Sequence, residues 1–403
     1  RRRHDAVAVD PSGSFVYVAS GLDATVSGYA IDRGSGKLTP ITGSPFTVTG
    51  AGAATEALAV HPSGNFLYVT DSGANKVSAY AIDPARGALR AITGSPFATG
   101  TGPTSIAIDP AGKVAIVANK NSGTASSYTI NAASGVLTQA AGSPRATGAS
   151  PASVSVTPDG QYAYVANSAA SNVSGFSIDG ATGALAAVPG GSFAAGASPL
   201  SVLAEPSGKF VYVLNAGTSS ETITAYAIDA PTGNLVTVAS IRTRGQGGML
   251  AMSSGTAPVT YTTKFAYVAN NYGNTISGYS VDPAAGVLTT ITGSPFATGA
   301  SPCLATNPTG TFLYSINGSD GNISGFAIDQ ASGGLSAVPG SPFAGGTLNL
   351  PCSMAVDPTG AYAYVTNNNP ISTTVAGFEI SPSTGALTTL AGSPFTAGTA
   401  PGI

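Results

Sequence analysis

Residues that could act as general bases, nucleophiles or metal ligands are scarce in this sequence. Histidine occurs only at His4 and His61, so the chain lacks a His-Glu-x-x-His motif and cannot build a site of several histidines. The Gly-x-Ser-x-Gly nucleophile elbow, the Gly-x-Gly-x-x-Gly fingerprint and the P-loop are also missing. The sequence therefore predicts no catalytic residue, no metal site and no cofactor.

Acidic and histidine side chains fall mostly at turns. His61 precedes a turn proline, where other copies of the same pattern carry residues such as Asp10 and Glu205, and this indicates a polar turn residue. Six aspartates share one hairpin position, namely Asp32, Asp83, Asp179, Asp229, Asp282 and Asp329. Nothing in the sequence selects a pair of carboxylates for acid–base chemistry.

Neutral polar residues supply the candidate ligand-binding surface. They follow the second strand of each predicted unit, where loops open on one face of the molecule. The candidates are Asn119, Lys120, Asn167, Asn215, Asn270, Asn271, Tyr272, Asn317, Asn367 and Asn368. Such a ring offers hydrogen bonds to a neutral carbohydrate or to a protein backbone. The alternative is that these asparagines only satisfy local turn geometry.

Composition excludes several classes of protein. The 403 residues include 53 Gly and 28 Pro, only 8% are charged, and the net charge of −3 does not favour nucleic acid. Every apolar run is shorter than the roughly 18–20 residues of a membrane-spanning helix. A single core stops growing at about 250–300 residues, so this length favours several domains or a repeat architecture.

Internal repeats decide between these possibilities. A pattern of four short strands recurs eight times, at intervals of 47 to 55 residues, and its second strand carries Tyr17, Tyr68, Ile116, Tyr164, Tyr212, Tyr267, Tyr314 and Tyr364. Four-stranded units at this spacing predict an all-β fold, a β-propeller of eight antiparallel blades, with seven blades as the alternative. The predicted single domain spans residues 1–403, with blades at about 6–50, 57–100, 104–148, 152–197, 200–246, 247–299, 302–346 and 352–398.

Two features vary between the units. A Gly-Ser-Pro-Phe motif ends most of them, and we expect its aromatic ring to pack in the seam with the next blade. This slot holds Phe46, Phe97, Phe193, Phe296, Phe343 and Phe395, with Arg145 and Thr243 as exceptions.

The sixth unit carries an insertion between a first strand predicted at Met249–Met252 and the second strand at Phe265. We expect a local excursion there.

The recurring strands resemble those of a known family. Tyr164-Val165-Ala166-Asn167 and its counterparts, each followed by an Asp-x-x-x-Gly-x-Leu turn, resemble the YVTN-repeat propellers, relatives of lactonase-like propellers such as 6-phosphogluconolactonase. The resemblance implies a propeller fold and lactone hydrolysis, with Gly-Pro-Arg-His leading into a first strand and Asn-Glu after a second. The segments here that match the first motif include Gly102-Pro103-Thr104-Ser105, without Arg or His. The Glu slots hold Lys120, Ser168, Ala216, Asn271, Gly318 and Asn368.

The two cysteines lie at similar places in neighbouring units. Cys303 follows Pro302 and Cys352 follows Pro351, each near the start of a first strand. We expect equivalent positions close to the axis, where an oxidising compartment would favour a disulfide between them. Two buried thiols are the alternative.

These observations favour a non-catalytic binding or assembly module, secreted or attached to the cell surface. The Ser, Thr, Gly and Asn content predicts an extracytoplasmic location, and the low charge allows self-association. The alternative function is a lactonase-like hydrolase.

Overall fold

The computed structural model of the chain describes residues 6–21, 24–48, 54–217, 222–242, 247–254, 263–270, 273–300, 302–344, 351–369 and 372–396. Within these residues, the strands form eight antiparallel sheets, each made from consecutive segments of the chain. The predicted eight-bladed propeller is confirmed. None of the described residues forms a helix suited to crossing a membrane.

Blades 1 to 4 contain the first nineteen strands. Blade 1 comprises β1 (Ala6–Val9), β2 (Phe15–Ser20), β3 (Thr25–Ile31), β4 (Leu38–Pro40) and β5 (Phe46–Thr47). Blade 2 comprises β6 (Thr55–Val60), β7 (Phe66–Asp71), β8 (Lys76–Ile82), β9 (Leu89–Ala91) and β10 (Phe97–Ala98). Blade 3 comprises β11 (Pro103–Ile108), β12 (Val114–Asn119), β13 (Thr124–Ile130), β14 (Leu137–Gln139) and β15 (Arg145–Ala146). Blade 4 comprises β16 (Pro151–Val156), β17 (Tyr162–Asn167), β18 (Asn172–Ile178) and β19 (Leu185–Ala194).

Blades 5 to 8 contain the remaining strands. Blade 5 comprises β20 (Pro199–Ala204), β21 (Phe210–Asn215), β22 (Thr222–Asp229) and β23 (Asn234–Arg242). Blade 6 comprises β24 (Gly247–Ser254), β25 (Thr263–Asn270), β26 (Thr275–Val281), β27 (Leu288–Thr290) and β28 (Phe296–Ala297). Blade 7 comprises β29 (Pro302–Thr306), β30 (Phe312–Asn317), β31 (Asn322–Ile328), β32 (Leu335–Ala337) and β33 (Phe343–Ala344). Blade 8 comprises β34 (Pro351–Val356), β35 (Tyr362–Asn369), β36 (Ser372–Ile380), β37 (Leu387–Thr389) and β38 (Phe395–Thr396).

The outer edge of most blades is divided into two short strands. In six blades a Gly-Ser-Pro turn interrupts the outer strand, and both pieces pair with the third strand. In blades 4 and 5 the outer strand is continuous, as β19 and β23. The insertion predicted in blade 6 lies largely outside the described residues, because β24 ends at Ser254 and β25 begins at Thr263.

The innermost strands form a closed ring around the axis. Each first strand contacts the first strands of both neighbours, and β1 contacts β34. Blade 8 draws its strands from residues 351–396, so within the part of the chain that the structure describes no strand is exchanged across the closure. Side-chain packing between blades must therefore hold the ring shut.

Hydrophobic cores lie in the seams between neighbouring blades. The cluster between blades 1 and 2, for example, joins Tyr17 and Val26 to Leu67 and Tyr80. The six phenylalanines of the Gly-Ser-Pro-Phe slot all contact such clusters, as predicted. Arg145, one of the two exceptions, instead reaches across the seam, where its Nε donates to Leu185 O at 2.7 Å. Thr243, the other exception, lies outside the described residues.

Tyrosine hydroxyls reinforce most of these seams. In seven blades the second-strand tyrosine is buried, and its hydroxyl donates to a turn glycine carbonyl in the following blade. Tyr364 closes the ring in this way, because its hydroxyl donates to Gly36 O at 3.0 Å. Ile116 interrupts the series, so the seam between blades 3 and 4 lacks this bond. Since buried hydroxyls need partners, these bonds explain why tyrosine rather than phenylalanine fills the slot.

Candidate functional site

The two ends of the propeller carry different loops. We call the upper face the end that bears the loops between second and third strands and the crossovers from one blade to the next. The lower face bears the loops between first and second strands and between third and fourth strands. The upper face is therefore where the sequence placed its candidate ligand-binding residues.

Five of the predicted asparagines end second strands at the upper face. Each of them is fully buried, and its Nδ2 donates at 2.9 Å to a hydroxyl of the adjacent third strand. The pairs are Asn119 with Ser126, Asn167 with Ser174, Asn215 with Thr224, Asn270 with Ser277 and Asn317 with Ser324. The structure thus places these amides inside the blades, where they join two strands and have no exposed surface for a ligand.

The crossover segments between blades cover these asparagines, and a glycine lies at the point of contact. A Cβ on Gly100 would lie 2.7 Å from Asn119 Cγ, and one on Gly196 would lie 2.8 Å from Asn215 Cβ. Only glycine allows the backbone to approach so closely. Sequence reasoning placed the asparagines at the correct end of the strand, but it missed the covering segment.

The other predicted binding residues differ in position. Lys120 is exposed, directly after β12. Asn271 and Tyr272 lie outside the described residues, as do the side chains of Asn367 and Asn368, whose backbones belong to β35. Their role as ligand contacts stays a prediction.

His61 holds two blades together at the lower face. Its Nδ1 accepts from the Ser63 N–H at 3.1 Å, so Nε2 carries the proton and donates to Gly112 O of blade 3 at 2.8 Å. Asp109 occupies the equivalent turn of blade 3, and its Oδ1 accepts the N–H groups of Lys113 and Val114, each at 2.6 Å. Asp109 is thus occupied by its own turn, and His61 by its own turn and by blade 3, which agrees with the interpretation of His61 as a polar turn residue.

The two cysteines do not occupy equivalent positions. Cys303 pairs with Ile316 in regular register, whereas Cys352 lies at a register shift between Pro351 and Ser353. The reason is that β29 lacks the additional residue that most other first strands contain. Cys303 packs against the cluster between blades 7 and 8, but the side chain of Cys352 lies outside the described residues. The disulfide therefore stays a prediction.

The same kind of register shift positions the carboxylate of Glu56, which the sequence analysis did not identify. In blades 2 to 5 the first strand contains one additional residue near its upper end, and we call this the bulge position. It holds Glu56, Thr104, Ala152 and Leu200 in turn. Bulges commonly redirect a side chain at a functional edge. The available signal was a lone glutamate in an otherwise uncharged first strand.

Glu56 is half-buried and held by its own blade. Ser72, which begins the loop after β7, donates its hydroxyl hydrogen to Glu56 Oε1 at 2.9 Å. Asp71 ends β7 nearby; its side chain is fully buried, and its Oδ1 accepts the N–H groups of Gly73 and Ala74. Glu56 is therefore the more accessible of the two carboxylates.

Blade 3 brings a positive charge to the same end of the propeller. The Asn75 side chain of blade 2 accepts the Gly102 N–H at 2.8 Å, and the Lys120 N–H donates to Gly102 O at 2.8 Å. These bonds link the upper loops of the two blades. We call Glu56, Ser72, Thr104 and Lys120 the blade 2–3 mouth. These four residues lie at the upper ends of blades 2 and 3, and the Thr104 hydroxyl donates to Pro151 O of blade 4 at 3.2 Å.

Comparison with known families decides the relationship. The family model described as Lactonase, 7-bladed beta-propeller matches residues 3–149, 140–251 and 246–348. The chain belongs to this lactonase family. The matched segments cover blades 1 to 7, and blade 8 follows the last matched residue. No curated protein matches the chain.

Solved structures share the fold of this lactonase-family chain. A protein from Bacteroides fragilis NCTC 9343 assigned as a 6-phosphogluconolactonase is 21% identical, with a TM-score of 0.62 over 79% of this chain and 90% of its own. The periplasmic gluconolactonase of Pseudomonas aeruginosa is 20% identical, with a TM-score of 0.60 over 84% and 97%. Sqt1 from Chaetomium thermophilum, bound to the N-terminus of the ribosomal protein L10, is 17% identical, with a TM-score of 0.66 over 90% and 93%.

The structure also locates the motif that the family resemblance implied. The slot that matches its arginine is the bulge position, because Thr104 of the Gly102-Pro103-Thr104-Ser105 segment lies there. Blade 2 carries Glu56 in this slot. This lactonase-family chain thus has a carboxylate where the implied motif has a cation.

Proposed function

We propose that this protein hydrolyses lactones at the blade 2–3 mouth. The observation that carries the proposal is the half-buried carboxylate of Glu56, held by Ser72 at the upper end of an innermost strand. Membership of the lactonase family supports the reaction class. The proposed site is new, because it uses a residue that the implied motif does not contain.

The chemistry requires a base and stabilisation of negative charge. Glu56 accepts a proton from a water molecule as that water attacks the lactone carbonyl. The Lys120 ammonium group balances the charge on the carbonyl oxygen. The ring C–O bond then breaks, the leaving oxygen takes the proton back from Glu56, and a hydroxy acid is released. Ser72 orients the carboxylate.

We propose a neutral lactone in preference to a phosphorylated one. The bulge positions of blades 3 to 5 carry Thr104, Ala152 and Leu200, none of which offers a positive charge to a phosphate. A cation that pairs with phosphate in two parallel bonds is normally an arginine. We assign Lys120, the one cation of the blade 2–3 mouth, to the negative charge on the carbonyl oxygen.

Hydrolysis of δ-valerolactone by the wild type and two variants tests this proposal. Glu56→Gln removes the base at nearly constant shape and should lower kcat by about 100-fold or more. Glu379→Gln, at an exposed glutamate of blade 8, is the matched control and should keep full activity. Lys120→Ala should lower kcat less than Glu56→Gln. Equal activity of the wild type and Glu56→Gln would overturn the assignment.

A second candidate is the non-catalytic binding or assembly module in an extracytoplasmic location. The lack of Arg and His in the matching segments favours it. This function would bind a neutral carbohydrate, another protein or a second copy without turnover. Lactone binding with no hydrolysis in the wild type would support this candidate over the first.

A further inference from the structure

The outer edges of the blades differ in how readily they can pair with a further strand. In six blades the edge consists of a piece of three residues and a piece of two, such as β4 and β5, with a Gly-Ser-Pro turn between them. A strand at the edge of a sheet leaves backbone N–H and C=O groups unpaired, and natural proteins protect such edges with prolines and short strands. These six edges are protected in both ways.

Blade 4 is protected as well, although β19 is a single strand. The register between β18 and β19 pairs residues 185–187 and 192–194, and it leaves residues 188–191 without a partner in β18. Pro189 lies in this unpaired stretch and has no N–H group to donate. The edge of blade 4 is therefore divided in the same place as the edges of the other six.

Among the edges that the structure describes, only that of blade 5 runs without such an interruption. β23 contains nine residues and no proline, and eight of these residues pair with β22, with a bulge of one residue at Val238. Val236 is 55% exposed, and Thr237 and Ser240 are also exposed, so the edge is open to solvent. Valine, threonine and isoleucine, which recur in β23, favour strands. The edge of β23 thus has the length and composition to pair with another strand.

The charges of β23 favour a second copy of the chain as that strand. Arg242, at the end of β23, is its only charged residue, and the whole chain has a net charge of only −3. In an antiparallel pair of two β23 strands centred on Val238, Arg242 of one copy lies opposite Asn234 of the other. Val236 then lies opposite Ser240. No like charges meet across the pair, whereas a charged peptide would find no opposite charge along most of this edge.

We infer that two copies of this protein associate by antiparallel pairing of β23 with β23. The pairing joins the two four-stranded sheets of blade 5 into one continuous sheet across a two-fold axis. Because each copy has one uninterrupted edge among its described strands, the assembly ends at a dimer. The inference does not depend on the proposed function, since the outer edge of blade 5 and the blade 2–3 mouth are separate parts of the molecule.

Sedimentation equilibrium of the purified protein tests the inference. The wild type should form a species of twice the 39.2 kDa of one chain. Val236→Lys/Ser240→Lys changes two exposed positions and places lysine opposite lysine, so it should raise the Kd of the dimer by about tenfold or more. Ala187→Lys/Ser192→Lys, at exposed positions of the divided edge of blade 4, is the matched control and should keep the wild-type Kd.

A charge reversal separates edge pairing from damage to the fold. Val236→Glu/Ser240→Glu alone should be as monomeric as the lysine variant. An equimolar mixture of the two variants should regain the dimer, because each lysine then lies opposite a glutamate. A wild type that stays at 39.2 kDa up to about 1 mM protein, a lysine variant that keeps the dimer, or a mixture that stays monomeric would overturn the inference.

Discussion

The lower face and the upper face of this propeller are built on the same repeat but differ in what an equivalent position does. At the lower face the turn residue changes type, from Asp10 and Asp109 to Asn307, yet its side chain accepts an N–H group of its own turn in each of these blades. At the upper face, equivalent bulge positions carry side chains from Glu56 to Leu200, and Ala152 and Leu200 can make no side-chain hydrogen bond. A position that keeps its hydrogen bond serves the architecture, whereas a position that keeps none is one where the chemistry can differ.

The tyrosine hydroxyl bonds in the seams also belong to the architecture. The closing seam between blades 8 and 1 has three tyrosine hydroxyl bonds, from Tyr364 to Gly36 O, from Tyr362 to Arg33 O and from Tyr29 to Thr396 O. The acceptors in two of these bonds belong to a lower-face turn. The seam between blades 4 and 5 has three such bonds as well, from Tyr164, Tyr162 and Tyr226, so the closure is held in the same way as a seam within the chain.

Alkaline pH should have the largest effect on this architecture. Burial raises the pKa of the seam tyrosines, to about 12 for Tyr226 and further for Tyr17 and Tyr364. Because these values lie above the ordinary value of 10.0, the hydroxyls contribute stability that is complete below pH 10 and is lost as pH rises through the folded pKa. Between pH 10 and its folded pKa, each tyrosine should lower the free energy of unfolding by at most about 1.4 kcal/mol per pH unit. Circular dichroism should show unfolding together with tyrosinate absorbance. Ionisation of Tyr17, Tyr226 and Tyr364 near pH 10 in a folded protein would contradict this prediction.

A methyl group at the closing turn should have the next largest effect. Gly36 has a φ of 66°, and a Cβ there would overlap the Tyr362 ring. Gly36→Ala should lower the free energy of unfolding by about 3 kcal/mol, measured by urea denaturation, because strain and overpacking add. Gly34→Ala is the matched control two residues away, where the nearest atom is Asp32 Oδ1 at 3.4 Å. Equal losses in both variants would show that the closing contact does not hold the ring.

Removal of a single hydroxyl should have the smallest effect. Tyr364→Phe leaves the ring in place but deprives the buried Gly36 carbonyl of its donor. The expected loss in the free energy of unfolding is about 1 kcal/mol. Wild-type stability in this variant would mean that packing alone closes the ring.

Much of the architecture could be predicted from the sequence, because it depends on local periodicity. The recurring tyrosine of the second strand predicted the number of blades. The Gly-Ser-Pro-Phe motif predicted that its phenylalanine rings pack in the seams between blades. The structure of the outer edge was only partly predicted, since the interruption at residues such as Gly43 splits one strand into two.

The candidate site was harder to predict, because it depends on register and on segments that cover one another. Asn119 and Asn167 are correctly placed at strand ends, yet a crossover from the preceding blade buries them. Glu56 gains its position from a shift of one residue between β6 and β7, which no periodic pattern reveals. The same shift separates Cys303 from Cys352, although their sequence contexts look alike.

A paired measurement on Glu56→Gln and Asp109→Ala tests the division between architecture and chemistry most directly. Each changes one carboxylate, and the two residues lie in neighbouring blades, Glu56 at the upper face and Asp109 at the lower face. Glu56→Gln should lose lactone hydrolysis. Its free energy of unfolding should lie within about 0.5 kcal/mol of the wild-type value, as is usual for surface substitutions. Asp109→Ala should lose about 2 kcal/mol of stability, because it leaves buried N–H groups unpaired, and should keep the hydrolysis rate of the folded protein. Full activity in Glu56→Gln, or an equal loss of stability in both variants, would contradict the account.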